Sequence, residues 1–116
     1  MGDAQTTVAE LRQAVASFID QRDWQQFHDP KNLAMSIAIE AAELMEHFQW
    51  VRSDQLQSVC DSAERRGQIA EELADVLCFV LSLANSLQID LAAAVHAKLA
   101  KNAAKYPVAR FRGRFS

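Results

Sequence analysis

Apolar residues recur every three or four positions along nearly the whole chain, and no stretch of any length alternates residue by residue. That period belongs to helices, so the predicted class is all-α. The first helix is expected to open at Thr7, where "TVAE" reads as a capping box with Glu10 at its third position. Val8, Leu11, Val15, Phe18 and Ile19 form its apolar stripe, and it is expected to end near Asp23. "DWQQFHDPKN" breaks the period: Pro30 disfavours a helical Asp29, and Asp29 or Asn32 can cap the next helix.

A second helix is expected from about Leu33 to Arg52, then a short helix or loop from Ser53 to Arg66 with Gly67 as punctuation. "QIAEELADVLCFVLSLANSLQ" carries a stripe of Ile69, Leu73, Val76, Leu77, Val80, Leu83 and Leu87, which Phe79 and Ala84 widen towards the full circumference. A helix apolar all round needs neighbours on all sides, which in so short a chain points to oligomerisation. The last helix begins after Asp90, a good N-cap, and stops at Tyr106 before Pro107. The expected architecture is a helix bundle of about four main helices in a single domain, residues 1–116, without internal repeats.

Composition narrows the function. The chain has 116 residues, 50% of them hydrophobic and 23% charged, enough for one soluble domain with a core. With 12 basic against 15 acidic residues the net charge is −3, which offers no general attraction for a nucleic-acid polymer. Every acid lies at or before Asp90, while Lys98, Lys101, Lys105, Arg110, Arg112 and Arg114 come after it. That cationic quarter reads either as solvated helix ends and a basic tail or as a device for holding phosphates.

Two cysteines are too few for a disulfide framework and fit a reducing compartment, with Cys78 expected to pack as a small hydrophobe. "MGDAQTTVAE" has neither the positive nor the apolar region of a secretory signal, and its loose match to a myristoylation pattern has no polybasic neighbour. The longest apolar run, residues 76–84, is too short to span a bilayer. A cytoplasmic protein without a membrane role is expected.

The chemistry-bearing stretch is "IAIEAAELMEHFQW", residues 37–50, which sets acids among residues suited to a core. Glu40 and Glu43 share a helical face, with His47 near the same line and Glu46 displaced to one side. Glu72 and Asp75 repeat the spacing on the later helix, so each helix offers an acid pair one turn apart, a rise of roughly 4.5 Å. A single such pair is most often a solvated face, but both of these are flanked by apolar residues.

Clustered carboxylates repel and lose hydration unless protonated or bound to a cation. Oxygen-only ligands favour Mg²⁺ or Mn²⁺ over Zn²⁺, and no Glu stands three residues before His28, His47 or His96, as a di-iron site would require. Mg²⁺ held by few carboxylates recruits phosphate oxygens, so a phosphate substrate is expected. Gly2, Gly67 and Gly113 cannot build a phosphate-binding loop, which leaves metal and side chains to hold the phosphates and activated water as the nucleophile.

The order E-x-x-E at Glu40 and Glu43, then E-x-x-D at Glu72 and Asp75, resembles the metal motif of the MazG-like all-α nucleoside triphosphate pyrophosphohydrolases. "RDWQQFHDPKNL", "ELMEHFQW", "EELADVL" and "KLAKNAAKYPV" are together similar to the dCTP pyrophosphatase branch of that superfamily, over roughly Arg22 to Val108.

The resemblance implies a Mg²⁺-dependent house-cleaning enzyme that splits a nucleoside triphosphate into monophosphate and pyrophosphate. It implies metal binding and catalysis by Glu40, Glu43, Glu72 and Asp75. It also implies base contacts from Trp24 and Trp50, with His28 a further candidate in the same loop, and a nucleotide-lining face of Lys98, Asn102 and Tyr106. A homotetramer built as a dimer of dimers, with sites between subunits, is implied as well.

Bland readings stand beside these. Trp50 at a helix end is commonly packing, His47 and His96 read as structural, and Met35 and Met45 as core filling. Arg110, Arg112 and Arg114 either close over a neighbour's triphosphate or form a frayed tail. The alternatives are a related pyrophosphatase for dUTP or a damaged purine, and a non-catalytic helical oligomerisation module.

Overall fold

A computed structural model describes residues 1–114, and among them helices are the regular elements and no strand occurs. Four main helices are joined by short pieces: α1 (Val8–Asp20), α2 (Pro30–Glu46), a short α3 (Leu56–Asp61), α4 (Ala63–Leu87), α5 (Leu91–Lys105) and a single turn, α6 (Val108–Phe111). One-turn 3₁₀ segments lie at Gln25–Phe27 and Ser53–Gln55.

The caps explain the starts. Thr7 Oγ1 accepts from the Glu10 amide at 3.1 Å while the Thr7 amide donates to Glu10 Oε1 at 3.4 Å, closing the expected capping box. Asp29 accepts from the Asn32 amide at 2.8 Å with Pro30 in the first turn, so α2 begins three residues before Leu33. Asp90 caps α5 by accepting from the Ala93 amide at 2.9 Å.

Several expectations need correction. Helix α2 ends at Glu46 rather than near Arg52, and α1 ends at Asp20 rather than near Asp23. Ser62 caps α4 by accepting from the Arg65 amide at 3.2 Å, and the helix then runs straight through Gly67. A strong cap upstream outweighs the modest helical penalty of one glycine. Met35 and Met45, expected in the core, stand on the outer side of α2 at 53% and 63% exposure.

Two hydrogen-bond contacts set the register. Arg65 Nη2 donates to the His47 carbonyl at 2.9 Å, which aligns α2 antiparallel to the first half of α4 and brings Glu40 level with Glu72. Arg12 Nε donates to Asn85 Oδ1 at 2.9 Å and Asn85 Nδ2 donates to the Arg12 carbonyl at 3.1 Å, which aligns α1 antiparallel to the second half of α4. Arg12 Nη1 also donates to the Ile89 carbonyl at 2.6 Å, just past the α4 C-terminus, where a cation is favoured.

Arg12 thus takes an inward position that the apolar stripe of α1 was expected to hold. Val8, Leu11 and Phe18 are exposed instead. The fully apolar core within the chain is small, comprising Leu33, Val59, Leu81 and Ala84. No single helix among the described residues is long and apolar enough to cross a membrane.

Candidate metal centre and adjoining cavity

The acids sit where the packing faces of α2 and α4 meet. On α2 the inward residues run Leu33, Ile37, Glu40 and Leu44, and on α4 Arg65, Ile69, Glu72, Val76 and Phe79, each stripe at helical spacing. Glu40 and Glu72 therefore occupy core-facing positions, and Glu43 lies one turn beyond Glu40. Carboxylate oxygens of Glu40, Glu43 and Glu72 all lie within 4.8 Å of one another.

The cluster is electrostatically incomplete. Glu40 Oε2 and Glu72 Oε2 are buried and have no hydrogen-bond partner. Burial pushes the Glu40 carboxyl up to about 7, and the neighbouring Glu43, Asp75 and Glu72 push the same way. Burial also raises Glu72, with Glu43 and Asp75 adding to it and a hydrogen bond with Glu40 opposing it. Orphaned buried oxygens of this kind cost stability unless protonated or coordinated. An oxygen-only donor set with two unsatisfied lone-pair sites fits a hard divalent cation.

Asp75, the fourth acid expected there, is exposed and lies one turn beyond Glu72. Its carboxylate lines a cavity of about 400 Å³ between α1 and α4, together with Phe18, Trp24, His28, Cys78 and Phe79. Two of the expected base-contacting residues therefore share a cavity with Asp75.

Local structure aims both rings. Asp23 adopts φ +51°, which turns the chain after α1, and the Trp24 amide donates back to the Ile19 carbonyl at 3.1 Å. The indole meets Phe18 edge-on at 5.8 Å between centroids. His28 Nδ1 donates to the Trp24 carbonyl at 2.7 Å, holding the imidazole within 10° of parallel to the indole at 6.5 Å between centroids. A largely apolar cavity with parallel aromatic faces and one acid at its edge suits a flat heterocycle attached to something cation-bound.

Trp50, Lys98, Asn102 and Tyr106 are not brought to this cavity within the chain. Trp50 is 88% exposed and lines a separate hollow with Arg65 at the far end of α2. Lys98 is exposed, Asn102 half-buried, and Tyr106 packs edge-on against Phe111 at 5.2 Å, all on an arm that leaves α4 at 102°.

Sequence reasoning missed three wall residues. Ser82, a buried hydroxyl in the middle of "VLSLA", was the signal that could have found the wall. Cys78, expected to pack as a small hydrophobe, stands on the cavity wall as an exposed residue whose thiol is only partly withdrawn from water; that partial desolvation, with the Asp75 charge, pushes the thiol up. Phe79 was visible only as extra apolar surface.

Comparison with known proteins identifies the family. The chain is similar to dCTP pyrophosphatase 1 of Bos taurus, 36% identical over 110 residues that cover 95% of this chain and 65% of that protein. It is also similar to dCTP pyrophosphatase 1 of Homo sapiens, 38% identical over 101 residues that cover 87% and 59% respectively. The chain thus spans just under two thirds of the length of these curated relatives. Its fold matches the crystal structure of a pyrophosphatase from Archaeoglobus fulgidus with a TM-score of 0.82 and 42% identity, covering 92% of this chain and 98% of that one. The sequence pattern of the MazG-like family matches residues 35–114, which hold all four acids, and the chain belongs to the MazG-like family.

Proposed function

We propose that the chain is a Mg²⁺-dependent nucleoside triphosphate pyrophosphohydrolase, with Mn²⁺ a possible substitute, that prefers dCTP or a modified dCTP and cleans the cytoplasmic nucleotide pool. The observation that carries this reading is the pair of partnerless buried oxygens on Glu40 and Glu72, beside Glu43 and next to an aromatic-walled cavity. The similarity to dCTP pyrophosphatases supports the substrate class, and the two free thiols fit a reducing compartment.

In this reaction water adds to the α-phosphorus as the bond from that phosphorus to the α–β bridging oxygen breaks, giving a monophosphate and pyrophosphate. Glu40, Glu43 and Glu72, with Asp75 one turn on, would hold a divalent cation, which when bound would supply neutralisation of phosphate charge and activation of water. The chain's own residues do the positioning. Trp24 and His28 offer their faces to the base, and Asp75 joins their cavity to the acid cluster, so the base fixes where the α-phosphate comes to rest.

Trp50, Lys98, Asn102 and Tyr106 complete the site of a neighbouring copy in a homotetramer built as a dimer of dimers. Support comes from surface that one chain leaves uncovered. The accessible area is 9155 Å², against about 6,300 Å² for a compact monomer of this mass. Leu73, Leu77, Val95 and Leu99 are all between 46% and 58% exposed.

Pyrophosphate release from eight common NTPs and dNTPs, with Mg²⁺ and with EDTA, tests the proposal beside Glu72→Gln. The expected result is Mg²⁺-dependent release led by dCTP and lost in the variant. Release led by another nucleotide replaces the base preference, and silence across the panel leaves a modified nucleotide as the substrate or a non-catalytic helical module.

A further inference from the structure

The cavity beside Asp75 does not end at Ser82. A second hollow of about 250 Å³ continues between α1 and α4, sharing Ile19, His28 and Ser82 with the first. Its chemistry differs: Asp20, Gln25, Asn85 and Ser86 join the shared His28 and Ser82 in its wall. We propose that this second compartment reads the hydrogen-bonding edge of the heterocycle whose face rests on Trp24 and His28, with Ser82 and Asn85 as specificity-determining residues. The inference rests on the function proposed above and concerns its base selectivity.

The geometry of Asn85 gives the compartment a fixed polarity. Arg12 can only donate, and it donates to Asn85 Oδ1; the Arg12 carbonyl can only accept, and it accepts from Asn85 Nδ2. The amide is thereby held in one orientation, with one N–H and one lone-pair site of its inventory left over. Ser82, only 6% exposed, stands one turn away on the same face of α4 and adds a hydroxyl that both donates and accepts. A donor and acceptor set with fixed sense discriminates between ring edges far better than an apolar wall does.

The order along the crevice also fits. Asp75, Ser82 and Asn85 are seven and three residues apart on α4, a rise of about 10.5 Å and then about 4.5 Å. Acids, aromatic walls and polar end succeed one another as phosphates, ring faces and base edge do along an extended nucleotide. Neither end of this crevice depends on α5, so the selectivity belongs to the α1–α4 pair.

The experiment measures KM and kcat for the eight-nucleotide panel with wild type, Ser82→Ala and Asn85→Asp. Calorimetric binding of the corresponding nucleoside monophosphates supplies a readout that needs no turnover, and thermal melts report folding. Ser82→Ala should weaken the preferred nucleotide about tenfold, on the scale of one lost buried hydrogen bond, and the others less, so the preference narrows. Asn85→Asp, which replaces a donor by an acceptor, should reorder the preference.

Unchanged ratios between nucleotides in both variants overturn the proposal while leaving the enzyme intact. A loss equal for every base overturns it too, because it marks a change of cavity shape. If Asn85→Asp melts early, Ser82→Ala alone decides. If wild type hydrolyses and binds no nucleotide, the function reading fails and this inference falls with it.

Discussion

The α2–α4 seam and the α5–α6 arm are both amphipathic, yet only the seam is paired within one chain. Along the seam, Arg65 anchors one end on the His47 carbonyl, and Glu40 and Glu72 face each other across it. Along the arm, Val95, Leu99 and Val108 stand 54%, 58% and 74% exposed, and α5 packs extensively on no other helix. The difference separates two kinds of site residue. Those proposed to gather a cation are brought together by intrachain packing, while the proposed role of Lys98, Asn102 and Tyr106 needs a second copy.

The sharpest break of this comparison is Glu40→Gln. Above pH 7, where Glu40 is ionised, it removes a buried charge that has no partner, so the metal-free protein should melt at a higher temperature than wild type there, while pyrophosphate release falls by at least about 100-fold, the scale of losing one group that stabilises transition-state charge. Parallel loss of activity and of metal-free stability would show Glu40 to be a structural hydrogen-bonding residue instead. Thermal melts in EDTA beside the activity assay separate the two.

Next in size is Val95→Glu with Leu99→Glu, which charges the arm without touching the seam. Sedimentation should show the assembly falling to smaller species, and activity should drop at least about tenfold, while titration with Mn²⁺ still detects the acid cluster. Unchanged assembly would mean that α5 is covered by something other than another copy, and loss of Mn²⁺ binding would mean that the seam is not self-sufficient.

Much of this division was legible in the sequence, for physical reasons that differ by element. The capping box at Thr7 and the Asp90 cap are local, so both helix starts are set by neighbouring residues. The acid spacing is equally local: Glu40, Glu43 and Glu72 do lie within reach of one another, while Asp75, expected with them, falls outside that group. Arg12 was illegible because its inward position is set by Asn85, 73 residues away. The end of α2 at Glu46 was missed for a related reason, since Arg65, 18 residues distant, caps it through the His47 carbonyl. Periodicity alone assigned Met35 and Met45 to a core, although a helix with apolar residues on two faces buries only the face that finds a partner first.

A pH series sharpens the seam further. The folded chain holds the Glu40 proton up to about 7, above the ordinary glutamate value of 4.5, and Glu72 shifts in the same direction. Between those values the folded state binds more protons than the unfolded state, so metal-free stability is greatest below about pH 4.5 and declines as pH rises through 7. A cation selects the ionised carboxylates and should flatten or reverse the decline. Melts at pH 5 and pH 7.5, in EDTA and in Mg²⁺, test the sign, and a metal-free protein that gains stability towards pH 7.5 would contradict it.

The smallest effect belongs to the joint between the two regions. Gln88 closes α4 in the left-handed region at φ +56°, and the Ile89 amide donates across it to the Ala84 carbonyl at 2.9 Å. A side chain is strained in that conformation and glycine is not, so Gln88→Gly should stabilise the chain by about 0.5 to 1 kcal/mol. Glycine also widens the choices open to the unfolded chain, which trims the gain. Because the substitution acts on the last turn of α4 and not on the seam, the melting temperature should rise by a few degrees while hydrolysis and Mn²⁺ affinity stay as they were. A change in hydrolysis with unaltered Mn²⁺ affinity would show instead that the angle between α4 and the arm is set at Gln88 and matters to the completed site.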